Sequence, residues 1–330
     1  MLLHEPSPDR MTGPFRGPGR WLRCQLHAHT TNSDGDATPQ GLVDHYARAG
    51  FDVLAITDHW HATSHEHDRV TVISSSELSA RVPEQELEEA EVLAIGAGVV
   101  PERREHFATI EQCAAWVRVQ GGVPFLAHPY WSGLSTHHVL DAPSLAGIEL
   151  YNGGSELANG NGLSDELWDL VSHAGRTCTG VATDDCHYPG HDSLLAWTMV
   201  RAESRDQAAV LDALNTGRFY GSSGAVLHDV QAGPDAIEVE CSPAVAITLR
   251  SGPWDGGRVN ADPRRMSWRG EALSRSPQGL ITAARFRLPE RWPWVRVDVA
   301  AADGGRAWTN PEPVSLDPEP SDEGGWQPDR

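Results

Sequence analysis

The sequence predicts an α/β protein built on a parallel sheet or barrel and followed by a smaller β-rich unit. Between residues 23 and 215, about seven short apolar strand candidates alternate with amphipathic helix candidates. Alternation of this kind is typical of parallel sheets and barrels. From about residue 224 the helix patterns stop, and short β-rich runs follow one another between Gly, Pro and Asp turns. A small β-sandwich is the expected product of that second pattern.

The strand candidates are short runs rich in β-branched and other apolar residues, at residues 23–26, 53–57, 70–77, 92–97, 123–128, 147–152 and 179–183. Helix candidates lie between or after them, at residues 38–50, 106–120, 164–174 and 207–215. The first helix is predicted to begin at Thr38 and Pro39, because proline suits the first helical turn, and to end at Gly50. The Gly-rich segment 153–162 is interpreted as a flexible lid or connection. The β-rich unit is expected to contain strands at residues 225–230, 236–241, 244–250, 280–288, 294–300 and 306–309.

Polar side chains recur where the predicted strands end. His27 and His29 stand two residues apart, so a strand would place both imidazoles on one face. The other strand-end residues are Asp58, His59, Glu77, His128, Glu149, Asn152, Asp185 and His187. The C-terminal ends of barrel strands carry the chemistry of such folds. Imidazoles and carboxylates gathered there, with Asp34 in a nearby Ser-Asp-Gly turn, predict a divalent metal site.

The acidic composition limits the classes of partner. The formal net charge is −20, and no Lys/Arg-rich run appears. Long nucleic acid is therefore not expected to bind, and a small-molecule substrate is favoured. If that substrate is anionic, metal ions must supply the attraction. The sequence does not predict the oligomeric state.

Seven short motifs resemble those of the PHP (polymerase and histidinol phosphatase) superfamily of metal-dependent hydrolases. They are LHAHT, SDG, AITDH, the Glu of SSSELSA, LAHP, IELYN and DDCH, and they occur in the family's order over residues ~22–190. The later segments ALNTGRFYGSSG and WVRVDVAAADGGRAWTNP resemble the carbaryl-hydrolase-like (CehA/McbA) branch. The resemblance implies a distorted (βα)7, TIM-like PHP barrel followed by a small β-rich, sandwich-like domain. It also implies a centre of two or three divalent ions, with Zn, Mn and Fe as the candidates.

Carried over position by position, the resemblance implies one ion held by His27, His29, Glu77 and Asp185. Glu77 would bridge to a second ion, which it would share with His128. A third ion would be held by Asp34, His59 and His187. The expected catalytic residues, which would accept or return the proton of the attacking water, are Asp185, His187 and His59.

Glu91 departs from the family pattern. Many relatives carry a histidine just before the strand that corresponds to residues 92–95, and it completes the second metal site. Two interpretations of Glu91 stay open: an oxygen ligand that replaces this histidine, or a solvated member of the acidic run 84–91.

Seven further residues are candidates for supporting roles. Asp58 is expected to orient a ligand imidazole, with a helix N-cap as the alternative. Glu149 and Asn152 would hydrogen-bond a metal ligand or the substrate, or would only pack in the wall. His61, in the polar loop 61–69, would touch substrate or be solvated. Arg176, with Tyr130 and Trp131, is a candidate for lining the pocket.

The predicted organisation has four segments: a flexible leader over residues 1–20, a PHP barrel over 21–223, a β-rich appendage over 224–316 and an acidic, disordered tail over 317–330. The leader lacks an apolar core of signal-peptide length, and no run of ~18 apolar residues occurs. The five cysteines are scattered singly, which favours reduced thiols. We therefore expect a cytoplasmic protein without a membrane span.

The function indicated is a metal-dependent hydrolase, with phosphate esters of small molecules or nucleotides as the preferred substrates. A second hypothesis places a carbamate, carboxyl ester or amide at the same centre. A third is an exonuclease that works from the 5′ end of short oligonucleotides. The fourth hypothesis, from another class, is a non-catalytic, metal-stabilised binding module.

Overall fold

The computed structural model describes residues 14–82, 89–102, 107–233, 235–252, 254–288 and 292–314. Most of the predicted leader, the predicted tail, residues 84–88 of the acidic run and the first residue of the second helix candidate lie outside the described residues. The described residues contain eighteen strands and six helices.

Three parallel strands open the fold, β1 (Arg20–Gln25), β2 (Val53–Ile56) and β3 (Thr71–Ser74). Helix α1 (Pro39–Arg48) makes the crossover between the first two. Thr38 Oγ1 accepts a hydrogen bond from Gly41 N at 3.2 Å, which caps the helix as the sequence predicts. The apolar face of α1 buries Leu42, Val43 and Tyr46.

The second sheet has five strands, β4 (Glu77–Arg81), β5 (Glu89–Ile95), β6 (Val123–Leu126), β7 (Gly147–Asn152) and β8 (Thr179–Thr183). The pairs β4–β5 and β5–β6 are antiparallel, whereas β6–β7 and β7–β8 are parallel. The single strand predicted over 70–77 is wrong, because the chain breaks at Ser75 and Ser76. Ser75 Oγ donates to Ile73 O at 3.2 Å and accepts from Gly96 N at 3.0 Å. Glu77 therefore begins a strand and does not end one.

Two strands that the sequence analysis missed extend the first sheet. β9 (Trp197–Ala202) pairs antiparallel with β1, and β10 (Phe219–Ser222) pairs antiparallel with β9. The predicted all-parallel arrangement is therefore wrong. A closed (βα)7 barrel is not confirmed either, since the strands before residue 224 divide between two hydrogen-bonded sheets. The two sheets nevertheless share an apolar core that includes Leu22, Val53, Leu93 and Phe125.

The remaining helices are α2 (Ile110–Val119), α3 (Thr136–Leu140), α4 (Gly153–Asn159), α5 (Asp165–His173) and α6 (Gln207–Asn215). Helix α4 occupies the segment predicted to be a flexible lid or connection, so that interpretation is wrong. Asn152 Oδ1 accepts from Ser155 N at 2.8 Å and caps α4, and Gly160 ends it with φ 81°. None of the described helices combines the length and the apolar composition that crossing a bilayer requires.

The C-terminal region is β-rich, with strands β11 (Leu227–Ala232), β12 (Ala236–Arg250), β13 (Gly256–Asn260), β14 (Gly270–Arg275), β15 (Ile281–Arg287), β16 (Trp294–Ala301), β17 (Arg306–Thr309) and β18 (Glu312–Pro313). β12 is one bulged strand of 15 residues where the sequence predicts two. Its first half pairs with β11 and β15, and its second half with β13 and β16. Because β17 also pairs with β10, this region belongs to the same 13-stranded sheet as β1–β3 and is not a separate sheet.

A buried ion cluster joins α5 to this β-rich region. The guanidinium of Arg296 is fully buried, lies 4.6 Å from the ring of Trp168 and donates from Nε to Asp169 Oδ1 at 2.9 Å. Arg296 also pairs with Asp298, and Arg250 donates to Asp298 Oδ2 at 2.8 Å and to Asp169 Oδ2 at 3.0 Å. Each buried charge is therefore matched by an opposite charge.

Candidate metal centre

Two histidines at the end of β1 form the floor of the candidate centre. His27 and His29 are fully buried, and their Nε2 atoms lie 3.1 Å apart. The backbone between them is tied to the segment that follows β8. Asp185 N donates to His27 O at 3.0 Å, and His29 N donates to Cys186 O at 2.8 Å. The structure thus brings the LHAHT and DDCH motifs side by side.

Glu77 lies between the histidines of two different elements. Its Oε2 is 3.2 Å from His27 Nε2 and 3.3 Å from His29 Nε2, and its Oε1 is 3.3 Å from His128 Nε2. The side chain is 1% exposed. A carboxylate with one oxygen toward each group of imidazoles has the position that a bridging ligand needs.

Asp185 completes the first group. Its Oδ1 lies 3.1 Å from His27 Nε2 and 3.3 Å from His29 Nε2.

A second group is more exposed and surrounds Asp34. Asp34 Oδ1 is 3.3 Å from His29 Nδ1, and its Oδ2 is 3.4 Å from Nε2 of both His59 and His187.

Glu91 lies inside the cluster. Its Oε1 is 3.5 Å from His59 Nδ1 and its Oε2 is 3.4 Å from His128 Nε2. Burial and the neighbouring Glu77 carboxylate raise the pKa of Glu91 to about 7. Of the two interpretations of Glu91, this position favours the oxygen ligand. The described residues thus offer three donor groups: His29, Asp34, His59 and His187; His27, His29 and Asp185; and His59, Glu77 and Glu91.

The donor atoms fit divalent ions. Glu77 Oε1 and Asp185 Oδ1 are buried and have no hydrogen-bond partner among the described residues, although imidazole nitrogens lie only 3.1–3.3 Å away. Ligand atoms held about 2.1 Å from one metal ion lie about 3.0–3.4 Å apart in octahedral or tetrahedral geometry. The spacing within each group is that of donors around a shared cation.

The charge of the cluster leads to the same conclusion. Burial alone lowers the pKa of an imidazole, yet Asp185, Glu77 and Glu149 raise the pKa of His27 well above its usual range. The pKa of His29 is raised in the same way by Asp185, Asp34 and Glu77, against the effect of burial. The neighbouring carboxylates therefore stabilise positive charge at these imidazole nitrogens, and either protons or metal ions would supply that charge.

Glu149 and Asn152 contact the candidate ligands, as one of the two interpretations of each predicts. Glu149 is fully buried, and its Oε1 lies 2.7 Å from His27 Nδ1. Its Oε2 accepts from His128 N at 2.7 Å and from Asn152 Nδ2 at 2.9 Å. The carboxylate holds the proton on Nδ1, so Nε2 of His27 presents its lone pair to the cluster. Asn152 Nδ2 also donates to Asp185 Oδ2 at 3.1 Å.

Three supporting residues lie elsewhere than expected. Asp58 accepts hydrogen bonds from Thr30, Ser33 and Thr63 and from no imidazole among the described residues. It supports His29 only through Ser33 Oγ, which lies 3.4 Å from His29 Nδ1. Arg176 does not line the pocket, because its guanidinium is bound by the carbonyls of Val139, Ala142 and Leu145. His61 lies 3.1 Å from Thr63 Oγ1 and does not line the cavity described next.

A cavity of about 450 Å³ opens beside the cluster. One side is formed by candidate ligands: His59, Glu77, Glu91, His128, Asp185 and His187. The other side includes Trp131, Leu157, Tyr188, His191 and Asp192, of which the sequence analysis singled out only Trp131.

Residues that support the site through backbone contacts were missed. Asp192 accepts from the amides of His187 and Tyr188 at 2.8–3.0 Å, and Thr183 donates to Glu149. Asp184 accepts from Tyr46 Oη at 2.7 Å and from three amides of residues 194–196. Of these residues, only Asp192 could have been found from the sequence, because an Asp next to a Pro-Gly turn commonly accepts hydrogen bonds from nearby backbone amides.

No family model matches the chain, and no curated protein matches it. Among solved structures, a two-domain protein from Bacteroides vulgatus, described as containing a predicted PHP-like metal-dependent phosphoesterase, is similar with a TM-score of 0.51 and 16% identity. The match covers 91% of this chain and 98% of that one. The fold of this chain is therefore similar to the fold of that Bacteroides protein.

Two other solved structures match part of the chain. An amidohydrolase from Chromobacterium violaceum has a TM-score of 0.39 and 16% identity over 51% of this chain and 89% of its own. A lesion-specific endonuclease from Pyrococcus furiosus has a TM-score of 0.42 and 14% identity over 60% of this chain and 56% of its own.

Proposed function

We propose that the chain is a metal-dependent hydrolase of the PHP superfamily that cleaves phosphate esters of small molecules or nucleotides. The observation that carries the proposal is the convergence of imidazole nitrogens and carboxylate oxygens, 3.1–3.5 Å apart, from six separate segments beside an open cavity. The PHP-like fold supports it. The motif resemblance further favours the CehA/McbA branch.

The residues divide the work between holding ions and moving a proton. Bound Zn, Mn or Fe ions would supply Lewis acidity, an activated water and charge neutralisation. His27, His29, Glu77 and Asp185 would hold one ion, Glu77, Glu91 and His128 a second, and Asp34, His59 and His187 a third. Asp185 faces the cavity with Oδ1 in the cluster and Oδ2 fixed by Asn152, so it is placed to accept the proton of the nucleophile. Where the third ion is not bound, His59 and His187, each about a third exposed or less, would be free to return a proton to the leaving group.

A carbamate, carboxyl ester or amide is the second candidate substrate for the same centre. No Arg lines the cavity among the described residues, and the chain contains no Lys. An uncharged substrate needs no such clamp. The resemblance to the carbaryl-hydrolase-like branch supports this alternative.

We further propose that the two sheets before residue 224 enclose a distorted, incompletely hydrogen-bonded (βα)7 barrel, with the β-rich appendage following it. Isolated bridges between Ala28 and Cys186 and between His59 and Glu77 connect the sheets at the centre. Beside β8, Ala182 N donates to Thr198 Oγ1 of β9 at 3.1 Å. These isolated bridges and the side-chain hydrogen bond support closure of the barrel where the two sheets lack continuous strand pairing.

The proposal is tested by metal analysis of the purified protein, followed by release of p-nitrophenol from a phosphate monoester, a phosphodiester and a carboxyl ester. We expect phosphate-ester turnover that a chelator abolishes and added metal restores. Turnover of the carboxyl ester alone would replace the first candidate with the second. A fully metal-loaded protein without turnover of any ester would favour a binding module.

Two variants tie the activity to the centre. His27→Ala and Asp185→Asn should each lose metal and activity by at least a hundredfold while the circular dichroism spectrum persists, because each removes a buried donor of the first group. Retained activity in either variant would refute the ligand assignment.

A further inference from the structure

The cavity beside the candidate metal centre has a second wall made of large apolar side chains. Trp131, Leu157 and Tyr188 are 46%, 61% and 56% exposed, and all three line this one concave surface. Single exposed apolar residues are ordinary on a protein surface. Three of them facing a cluster of polar donors mark a place where an apolar ligand group would be covered.

The two aromatic residues are held in place by the same segments that carry candidate ligands. Tyr188 follows His187 directly, and its amide donates to both oxygens of Asp192 at 2.8 and 3.0 Å. Trp131 lies in the turn after His128, where Ser132 N donates to His128 O at 3.0 Å and Ser132 Oγ lies 3.0 Å from His128 Nδ1. Each ring is therefore exposed on fixed backbone, which lowers the entropy lost when a ligand packs against it.

The charge of the cavity limits the rest of the ligand. Glu91, Asp185 and Asp192 line it, no Arg among the described residues does, and the chain has no Lys. A second phosphate or carboxylate on the substrate, away from the metal ions, would meet carboxylates and no guanidinium. We therefore expect the part of the substrate that lies away from the metal ions to be uncharged.

We propose that the substrate carries one planar, uncharged aromatic group next to the bond that is cleaved, and that Trp131 and Tyr188 recognise it by stacking. Leu157, on α4, would close the apolar side of the same wall. A volume of about 450 Å³ suits one ring system with its reacting group and is too small for a polymer. This inference rests on the proposed function and adds the substrate class to it.

The test compares two non-hydrolysable ligands of equal charge, phenylphosphonate and methylphosphonate, by calorimetry with the zinc-loaded full chain. We expect phenylphosphonate to bind about tenfold more tightly, because only its ring reaches the aromatic wall. Trp131→Ala and Tyr188→Ala should each reduce this preference to about twofold and leave the methylphosphonate Kd unchanged. 4-Carboxyphenylphosphonate should bind at least about fivefold more weakly than phenylphosphonate, because its added charge faces carboxylates.

Tyr130→Ala is the matched control. Tyr130 precedes Trp131 and is 53% exposed, but it does not line the cavity, so its loss should leave the phenyl preference intact. Equal binding of the two phosphonates, or an unchanged preference in both wall variants, would overturn the inference and leave the hydrolase proposal standing. Failure of either phosphonate to bind would overturn both. Equal binding of the carboxylated ligand would overturn the requirement for an uncharged group.

Discussion

Two candidate ligands sit on backbone conformations that most residues avoid. His128 has φ 24° and Asp185 has φ 57°, both in the left-handed region. Such conformations cost on the order of 1–3 kcal/mol and persist only where the surroundings enforce them. His128 N is held by Glu149 Oε2 and Asp185 N by His27 O. These hydrogen bonds therefore hold both residues in strained backbone conformations that direct their side chains toward the cluster.

Glu149→Gln tests whether this buried carboxylate orients the ligands. The amide keeps the size of the side chain but no longer favours the proton on His27 Nδ1, so metal affinity should fall about 10- to 100-fold. The measurement is competition between the protein and a chelator for zinc. Glu166→Gln, at an exposed position of α5, is the control and should bind metal normally. Unaltered affinity in Glu149→Gln would contradict the orienting role.

Glu91→Gln distinguishes the two interpretations of that residue. If Glu91 is an oxygen ligand, the variant should bind about one ion fewer per chain, measured by elemental analysis after dialysis, because an amide is a much weaker donor than a carboxylate. Glu89→Gln, exposed on the same strand, should retain the full number of ions. Equal metal content in all three proteins would show that Glu91 is only a solvated neighbour.

At the scale of elements, α5 depends on charged side chains from the β-rich region. Asp169 of α5 is shared between Arg296 of β16 and Arg250 of β12. α5 follows α4, which contributes Leu157 to the cavity wall. The ion cluster thus ties α5, which packs against β7, to the β-rich region.

Arg296→Met should destabilise the protein by about 3 kcal/mol, since it leaves Asp169 and Asp298 buried with one positive partner fewer. Urea unfolding followed by circular dichroism measures the loss. Arg264, which pairs with Asp262 on the surface, gives the control Arg264→Met, expected to unfold at the wild-type urea concentration. Equal midpoints for Arg296→Met and the wild type would show that the cluster contributes no net stability.

Glu312 on β18 makes stability depend on pH. Burial raises the pKa of its carboxyl to about 7, above its value in the unfolded chain. A raised acid pKa adds stability that is fully present below pH ~4.5 and is lost as pH rises through about 7. Glu312→Gln should therefore match the wild type near pH 4.5 and exceed it by about 3 kcal/mol in unfolding free energy at pH 8. A difference in unfolding free energy that stays constant with pH would contradict this.

At the scale of the whole molecule, the net charge of −20 and the carboxylate-rich centre make bound cations part of the energetics. Repulsion among Asp34, Glu77, Glu91 and Asp185 opposes folding unless positive charge enters the cluster. The three donor groups draw on segments from residue 27 to residue 187, so bound ions would link distant parts of the chain.

Removal of metal should therefore lower the Tm. Dialysis against a chelator is expected to reduce the Tm by about 5 °C, and zinc should restore it, because ions that bind only the folded chain stabilise it by mass action. Asp185→Asn is the control, since it should show a much smaller chelator effect. The same Tm before and after metal removal in the wild type would show that the centre is empty or contributes nothing to stability.

The sequence by itself determined those features that depend on local pattern. β7, β8, α6 and β17 have the predicted bounds, because each is a short run with clear periodicity or capping. The two-residue spacing of His27 and His29 placed their imidazoles together, because strand geometry sets side-chain direction over two residues. The other candidate ligands were predicted to belong to one metal centre because their motifs occur in the same order as in the PHP superfamily.

Tertiary structure decided the features that depend on contacts between distant segments. Strands β9 and β10 lack strong local patterns and form because β1 and β17 offer hydrogen-bond partners. Glu77 begins a strand because the Ser75 hydroxyl binds backbone two and twenty-one residues away. Likewise, Glu149 contacts His27, and Tyr188 and Trp131 line one cavity, only after the chain has folded. Local pattern fixes the direction of a side chain, whereas its neighbours are set by long-range packing, which a single sequence does not display.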